Sequence, residues 1–166
     1  MKWEDKTSVQ KGALAEAVVD QFLIDNGWIP YVPMGGPHPF DRLSANMKKR
    51  KIMVIEVKAK AARTHYPDTG VNVKHYEGYK RVWLYNRLPV FLAFVDEVEG
   101  AIYGEFLGIL EKERTVNGNV YPLVQKGIRY WPRSAMRTIA MLNDLQVENL
   151  KALSNRNPAY EDPQCN

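Results

Sequence analysis

Cysteine is nearly absent from this chain: one residue in 166, at position 165. That excludes a disulfide framework and any zinc site built from several cysteines. Long apolar runs are missing as well. The most continuous, Phe91 to Val95, stops at Asp96 and Glu97, far short of the ~20 residues that a membrane helix needs. The opening Met1-Lys2-Trp3-Glu4-Asp5-Lys6 has no apolar core of the kind a signal peptide carries, so a cytoplasmic protein away from membranes is expected. No Ser or Cys nucleophile motif is present. The pair Gly35-Gly36 sits between prolines and leads into a strand, so it is no phosphate-binding loop. His38, His65 and His75 lack a metal-ligand spacing and read as three unrelated histidines. Internal repeats and low-complexity segments are missing too.

What is present is the composition of an ordinary globular domain, 45% apolar and 25% charged. The length suits one domain, expected over residues 1–153, with a polar tail over 154–166. The net charge of +4 conceals an uneven distribution. Residues 41–87 hold 12 Lys and Arg against four Asp and Glu, a local +8, while the rest of the chain holds 11 against 15, a local −4. A basic middle third suggests an anionic partner, nucleic acid first, although charge also clusters on solvated faces. The run Lys48-Lys49-Arg50-Lys51 can contact phosphates but reads better as a solvated hairpin turn.

Apolar spacing predicts a helix from about Val9 to Asn26, capped by Thr7 or Ser8 and stopped by Gly27. Short strands follow at 28–32 and 40–45, separated by a proline-rich loop. The clearest strand is Ile52 to Lys60, rich in β-branched residues. A loop is expected at 61–72, a helix at 73–87, and at 90–95 a strand buried on both faces and parallel to the preceding one. A strand at 101–110, a loop with a short strand over 115–131, and a helix from Ser134 to Leu153 complete an α/β domain with a mixed central sheet.

The strand 52–60 carries the chemistry. Alternation puts Met53, Ile55, Val57 and Ala59 on one face and Ile52, Val54, Glu56, Lys58 and Lys60 on the other. A carboxylate and an ammonium halfway along a central strand need partners or a metal, because burying them unpaired costs several kcal/mol. If 41–45 and 52–56 form a hairpin, Asp41 meets the later part of the second strand and two carboxylates converge beside Lys58. Hard oxygen ligands suit Mg²⁺, which leaves room for a phosphate. Glu16, flanked on its helix by small and apolar residues, can complete the cluster or hold a water.

Asp41 followed by Glu56-Val57-Lys58, with Pro39 upstream and Lys11-Gly12 and Glu16 on the leading helix, resembles the PD-(D/E)xK nuclease superfamily, and within it archaeal-type Holliday junction resolvases and related phage and bacterial nucleases. Pro39-Phe40-Asp41 departs from the usual pattern by one interposed residue. The resemblance spans roughly residues 8–110 and implies a restriction-endonuclease-like αβββαβ core. It implies Mg²⁺, with Mn²⁺ as a substitute, ligated by Asp41, Glu56, the Val57 carbonyl and Glu16. Lys58 would be the catalytic lysine and Glu16 an accessory acid. DNA, branched if the resolvase subclass holds, would be the substrate and a homodimer the assembly, in a bacterial or phage-infected cell. Lys60 and Arg63, after the catalytic strand, and Lys74, Tyr76, Tyr79 and Lys80, on the following helix, are the candidate DNA contacts, with loop or core roles as the plainer alternative. A non-catalytic nucleic-acid-binding domain on the same fold, part of a replication or packaging assembly, is the rival reading.

Overall fold

The computed structural model of the chain describes residues 6–35 and 37–155. The N-terminal residues 1–5, Gly36, and the part of the expected polar tail from 156 onward, Cys165 included, lie outside the described residues. The chain runs α1 (Thr7–Asp25), β1 (Ile29–Tyr31), β2 (Arg42–Asn46), β3 (Lys51–Ala59), β4 (Asp68–Asn72), α2 (Val73–Leu84), β5 (Val90–Asp96) and β6 (Ala101–Phe106). It continues with a one-turn α3 (Leu107–Leu110), β7 (Arg114–Val116), β8 (Asn119–Tyr121), β9 (Leu123–Gln125), β10 (Ile128–Pro132), β11 (Arg137–Met141) and α4 (Asp144–Asn155).

Six strands form the central sheet in the order β1-β2-β3-β5-β6-β11. Its one parallel pair is β3 with β5, joined by the crossover through α2. Neighbours on either side are antiparallel, so the sheet is mixed, as expected. Alternation along β3 splits the core as the sequence pattern requires. Met53, Ile55 and Val57 pack with Ala15, Val18, Val19 and Leu23 of α1 and Leu150 of α4. Val54 packs on the opposite face with Tyr76, Tyr79 and Val82 of α2. Glu56 and Lys58, in step with Val54, therefore lie on the α2 side. β5 is buried along its whole length, which accounts for its unbroken apolar sequence.

Several boundaries differ from expectation. α1 begins at Thr7 with Lys6 as its N-cap, and no side chain caps it. Neither Thr7 nor Ser8 adopts the capping role. Its end is the expected one, with Gly27 at φ 75° just past the helix. α2 stops three residues early, at Leu84. The expected loop at 61–72 contains β4, which pairs antiparallel with β10, itself paired with β9, in a second sheet of three strands. Pro67 and Gly70 argue against a strand, but Gly70 is required there: a Cβ would lie 2.3 Å from the Arg129 carbonyl oxygen. The expected strand 101–110 ends at Phe106, where the chain turns into α3. The helix expected from Ser134 is divided: residues 133–135 form a 3₁₀ turn, β11 completes the sheet edge, and only α4 is helical. Lys48, Lys49 and Arg50 occupy the exposed β2–β3 turn, with Arg50 at φ 51°.

Away from the main sheet, the three-stranded sheet is tied to α2 and to the segment after α3 by a part-buried polar network around Glu111. Glu111 accepts from Tyr76 Oη (2.8 Å), Arg129 Nη2 (2.5 Å) and Trp131 Nε1 (3.0 Å). Burial alone would raise its pKa, but those three donors hold it below the usual carboxylate range. Removing this one acceptor strands a guanidinium and an indole N–H together. Glu111→Ala is therefore expected to lower the unfolding free energy by about 3–5 kcal/mol, to be measured by urea denaturation at neutral pH. A loss under 1 kcal/mol would show that the network carries little of the stability. Among the described residues no helix is long and apolar enough to cross a membrane, a statement that leaves strand-built spans untouched.

Candidate active site

The β2–β3 hairpin aligns Arg42 with Ile55 and Asn46 with Lys51. One further step along that register sets Asp41 opposite Glu56. Asp41 is held at its backbone and its side chain: its N–H donates to the Ile55 carbonyl (3.2 Å), and its Oδ2 accepts from the Val57 N–H (2.7 Å). The side chain thus takes over the ladder position where β2 has ended. Since N–H and C=O of one strand residue point the same way, the Val57 carbonyl also faces past the end of β2.

Glu56 is buried, with 5% of its surface exposed. Its Oε1 accepts from two donors, Lys58 Nζ at 2.5 Å and Tyr79 Oη at 2.6 Å. Burial pushes its pKa up to about 7; Lys58 opposes the shift and the Asp41 charge adds to it. Burial and the neighbouring Glu56 charge likewise raise the Tyr79 phenol, so it remains a donor. Asp41, Glu56, Lys58 and Tyr79 share a pocket of about 220 Å³ with His38, Pro39, Lys74, His75 and Gly78. Acidic groups on the strands thus face basic groups on the first turn of α2 and on the loop before β2.

Tyr79 acts through Glu56. Tyr79→Phe removes a neutral donor from a buried carboxylate, so the Glu56 pKa is expected to rise further. Fold stability is expected to fall by about 1–3 kcal/mol in thermal unfolding where Glu56 is ionised. The acid limb of any pH–rate profile should move to higher pH, and an unmoved limb would separate Tyr79 from the chemistry.

The remaining sequence candidates fall in different places. Glu16 is not gathered with Asp41 and Glu56 but pairs with Arg42 (Nη2–Oε2, 3.1 Å). Burial and then the Asp41 charge raise its pKa, which Arg42 partly offsets. Tyr76 is a core residue, 4% exposed, bound to Glu111, and has no surface to offer DNA. Tyr79 is equally buried and reaches the site only through its hydroxyl. Arg63 forms a two-nitrogen ion pair with Asp68 (2.6 and 2.7 Å) and stacks 3.9 Å from the Tyr130 ring centroid. It braces β4 rather than standing out towards a ligand. Lys60 lies 5.8 Å from the Tyr130 centroid and Lys80 the same distance from Tyr76. Lys74 is exposed at the pocket rim. His38 and His75 also line the pocket, a placement that spacing along the chain does not reveal because one precedes the hairpin and the other opens α2. Arg42, likewise unremarked in the sequence, is 7% exposed and joins three residues.

Among the described residues no group of three or more His, Cys, Asp or Glu side chains is gathered so as to hold a metal ion. The oxygen donors at hand are the Asp41 and Glu56 carboxylates and the Val57 carbonyl. Two carboxylates beside a water-accessible pocket match the few protein ligands that Mg²⁺ takes, since it keeps several of its waters.

No protein-family model matches the chain, and no curated protein matches it in sequence. Among solved structures it is similar to Hjc of Archaeoglobus fulgidus, a Holliday junction resolvase from an archaeal hyperthermophile. The TM-score is 0.53 at 16% identity, over 75% of this chain and 90% of that one. At such identity the likeness is one of fold, and the fold is the restriction-endonuclease-like one: a mixed central sheet flanked by helices, with α1, the β1–β3 strands, the α2 crossover and β5 in the order of that core.

Proposed function

We propose that the protein is a Mg²⁺-dependent DNA endonuclease of the PD-(D/E)xK type that hydrolyses phosphodiester bonds. The reading is carried by one observation: two carboxylates from different strands, Asp41 and Glu56, line one pocket with the ammonium of Lys58. The likeness of fold to a resolvase supports it.

In this reading Asp41, Glu56 and the Val57 carbonyl hold the cation, with Mn²⁺ able to substitute. Bound there, the ion supplies Lewis-acid polarisation of a phosphate and a more acidic water. The chain's own residues do the rest. Asp41 is fixed by its backbone and by Val57, so its ligating atoms need no reorganisation. Tyr79 donates to Glu56 Oε1 and orients the carboxylate. Lys58, whose ammonium now rests on Glu56, swings to the attacking water and to the phosphate oxygens as negative charge develops. Lys74 and His75 on the first turn of α2, with His38 from the loop before β2, contact the phosphate backbone at the pocket. Tyr76, buried and bound to Glu111, takes no part, and Lys60, just past the end of β3, is kept as a further backbone contact. A branched substrate is cut on two strands, which calls for two sites and hence a homodimer, working in a bacterial or phage-infected cytoplasm.

The test is incubation with single-stranded, duplex and four-way-branched DNA in Mg²⁺, Mn²⁺ or chelator. Metal-dependent nicks, strongest on the branched substrate, are expected. DNA binding that weakens steeply with salt, with no cleavage of any substrate, would instead mark a non-catalytic binding domain.

A further inference from the structure

We propose that Lys126, at the tip of the β9–β10 hairpin, is a DNA-backbone contact that extends the substrate surface beyond the αβββαβ core. The inference rests on the nucleic-acid reading of the pocket and says which further element of the chain the same substrate touches. β4, which lies in the chain between β3 and α2, recruits β10 and β9 into the small sheet. The register sets Ile128 beside Asn72, the last residue of β4, and beside Gln125 on β9. Lys126 and Gly127 are therefore the two tip residues. Both have positive φ, 48° and 76°, as in the tight two-residue turns that fit the twist of paired strands. The Gly127 carbonyl accepts the Val73 N–H at 2.9 Å. Val73 opens α2 and is followed at once by Lys74 and His75, which line the pocket with Asp41, Glu56 and Lys58. Strand pairing and this hydrogen bond thus fix the hairpin tip beside the pocket wall.

The charges there suit an extended anion. Lys126 is exposed and makes no ion pair among the described residues, and the same holds for Lys74. The arginines of the small sheet and its flanking loop are already engaged, Arg63 with Asp68 and Arg129 with Glu111. Two unneutralised ammonium groups on either side of one main-chain hydrogen bond can each meet a different phosphate of a nucleic-acid backbone, a contact that positions the strand without reading its sequence. The basic segment 41–87 does not contain residue 126. Only the pairing of β10 with β4 brings it there.

Fluorescence anisotropy of labelled duplex oligonucleotides with the full chain, in chelator and over a series of NaCl concentrations, tests this. Wild-type affinity is expected to fall linearly as log salt rises. Lys126→Gln should reduce that slope by about 1, equally on unrelated sequences, and Lys126→Arg should keep the wild-type slope. Lys151→Gln removes an exposed charge from α4, which packs on the other face of the main sheet, and should leave slope and affinity unchanged. An unchanged slope in Lys126→Gln, or an equal fall in Lys151→Gln, would overturn the role given to Lys126 and leave the nuclease reading in place. Wild type that does not bind DNA, or binds it without dependence on salt, would overturn both. Binding that Lys126→Gln weakens as described, in a protein that cuts no substrate in Mg²⁺, would uphold Lys126 and remove the nuclease reading alone.

Discussion

Lys58→Ala is expected to slow Mg²⁺-dependent DNA cleavage by about 10²–10⁴-fold, the range that loss of one positioned proton-transfer or charge-stabilising group produces. The loss should fall on kcat. Lys58 is one of several cations at the pocket, and Lys74 remains to hold the phosphate backbone, so KM should change little. The fold should survive, because the apolar side of β3 (Met53, Ile55 and Val57) is untouched. Glu56 loses a cation, and burial already favours its neutral form, so it answers by holding its proton to higher pH. Lys58→Arg is not expected to restore the rate, since a guanidinium does not give up a proton and its fork cannot sit on a single water. Single-turnover cleavage of a labelled strand, with circular dichroism as the control for folding, decides the matter. A rate within threefold of wild type would remove Lys58 from the chemistry.

Glu56→Gln is expected to do two opposite things: abolish cleavage and stabilise the fold above neutral pH. The folded pKa of about 7 lies above the ordinary value of 4.5. The folded state therefore binds the proton more tightly than the unfolded chain, and this group's favourable contribution is complete below about pH 4.5. It declines as pH rises and is gone above about 7, where the carboxylate must be ionised in a buried place. A difference of about 2.5 units corresponds to about 3 kcal/mol. Glutamine is neutral at every pH and keeps an oxygen for the Tyr79 hydroxyl, so it escapes that cost. In urea denaturation the variant should match wild type near pH 4.5 and exceed it by about 3 kcal/mol at pH 8. A variant no more stable than wild type at pH 8 would mean that Glu56 ionises freely in the folded protein. This is the signature expected of an acid held against its own solvation for the sake of a ligand.

The legible part of this fold was the part specified locally. β3 announces itself through Ile52 to Val57 because β-branched residues alternate over a full strand length, and the Glu56–Lys58 conflict on one face exposes the site. Asp41 follows from the hairpin, whose turn is short and basic. β5 is readable because burial on both faces leaves no polar position. What stayed hidden depends on residues far apart in the chain. β4 looks like a loop because Asp68 and Thr69 are polar, yet both are fully buried: Asp68 is matched by Arg63 and by Tyr121 from 53 residues away. Tyr76 reads as an aromatic available to DNA until Glu111, 35 residues on, takes its hydroxyl. Glu16 has the surroundings of a metal ligand on its own helix, and nothing in helical periodicity reveals that Arg42 will claim it. The same limit hid His38 and His75, which become neighbours of the site only once α2 has crossed over the sheet.

The most direct measurement is strand cleavage by wild type and Asp41→Asn side by side, in Mg²⁺ and in chelator. Asparagine keeps an oxygen for the Val57 N–H and so preserves the hairpin while withdrawing the anionic ligand. Cleavage by wild type that chelator stops, and that falls by at least 10²-fold in Asp41→Asn, is the expected result. Cleavage that persists in chelator, or that Asp41→Asn leaves unchanged, would contradict the assignment of this pocket as a metal-dependent nuclease site.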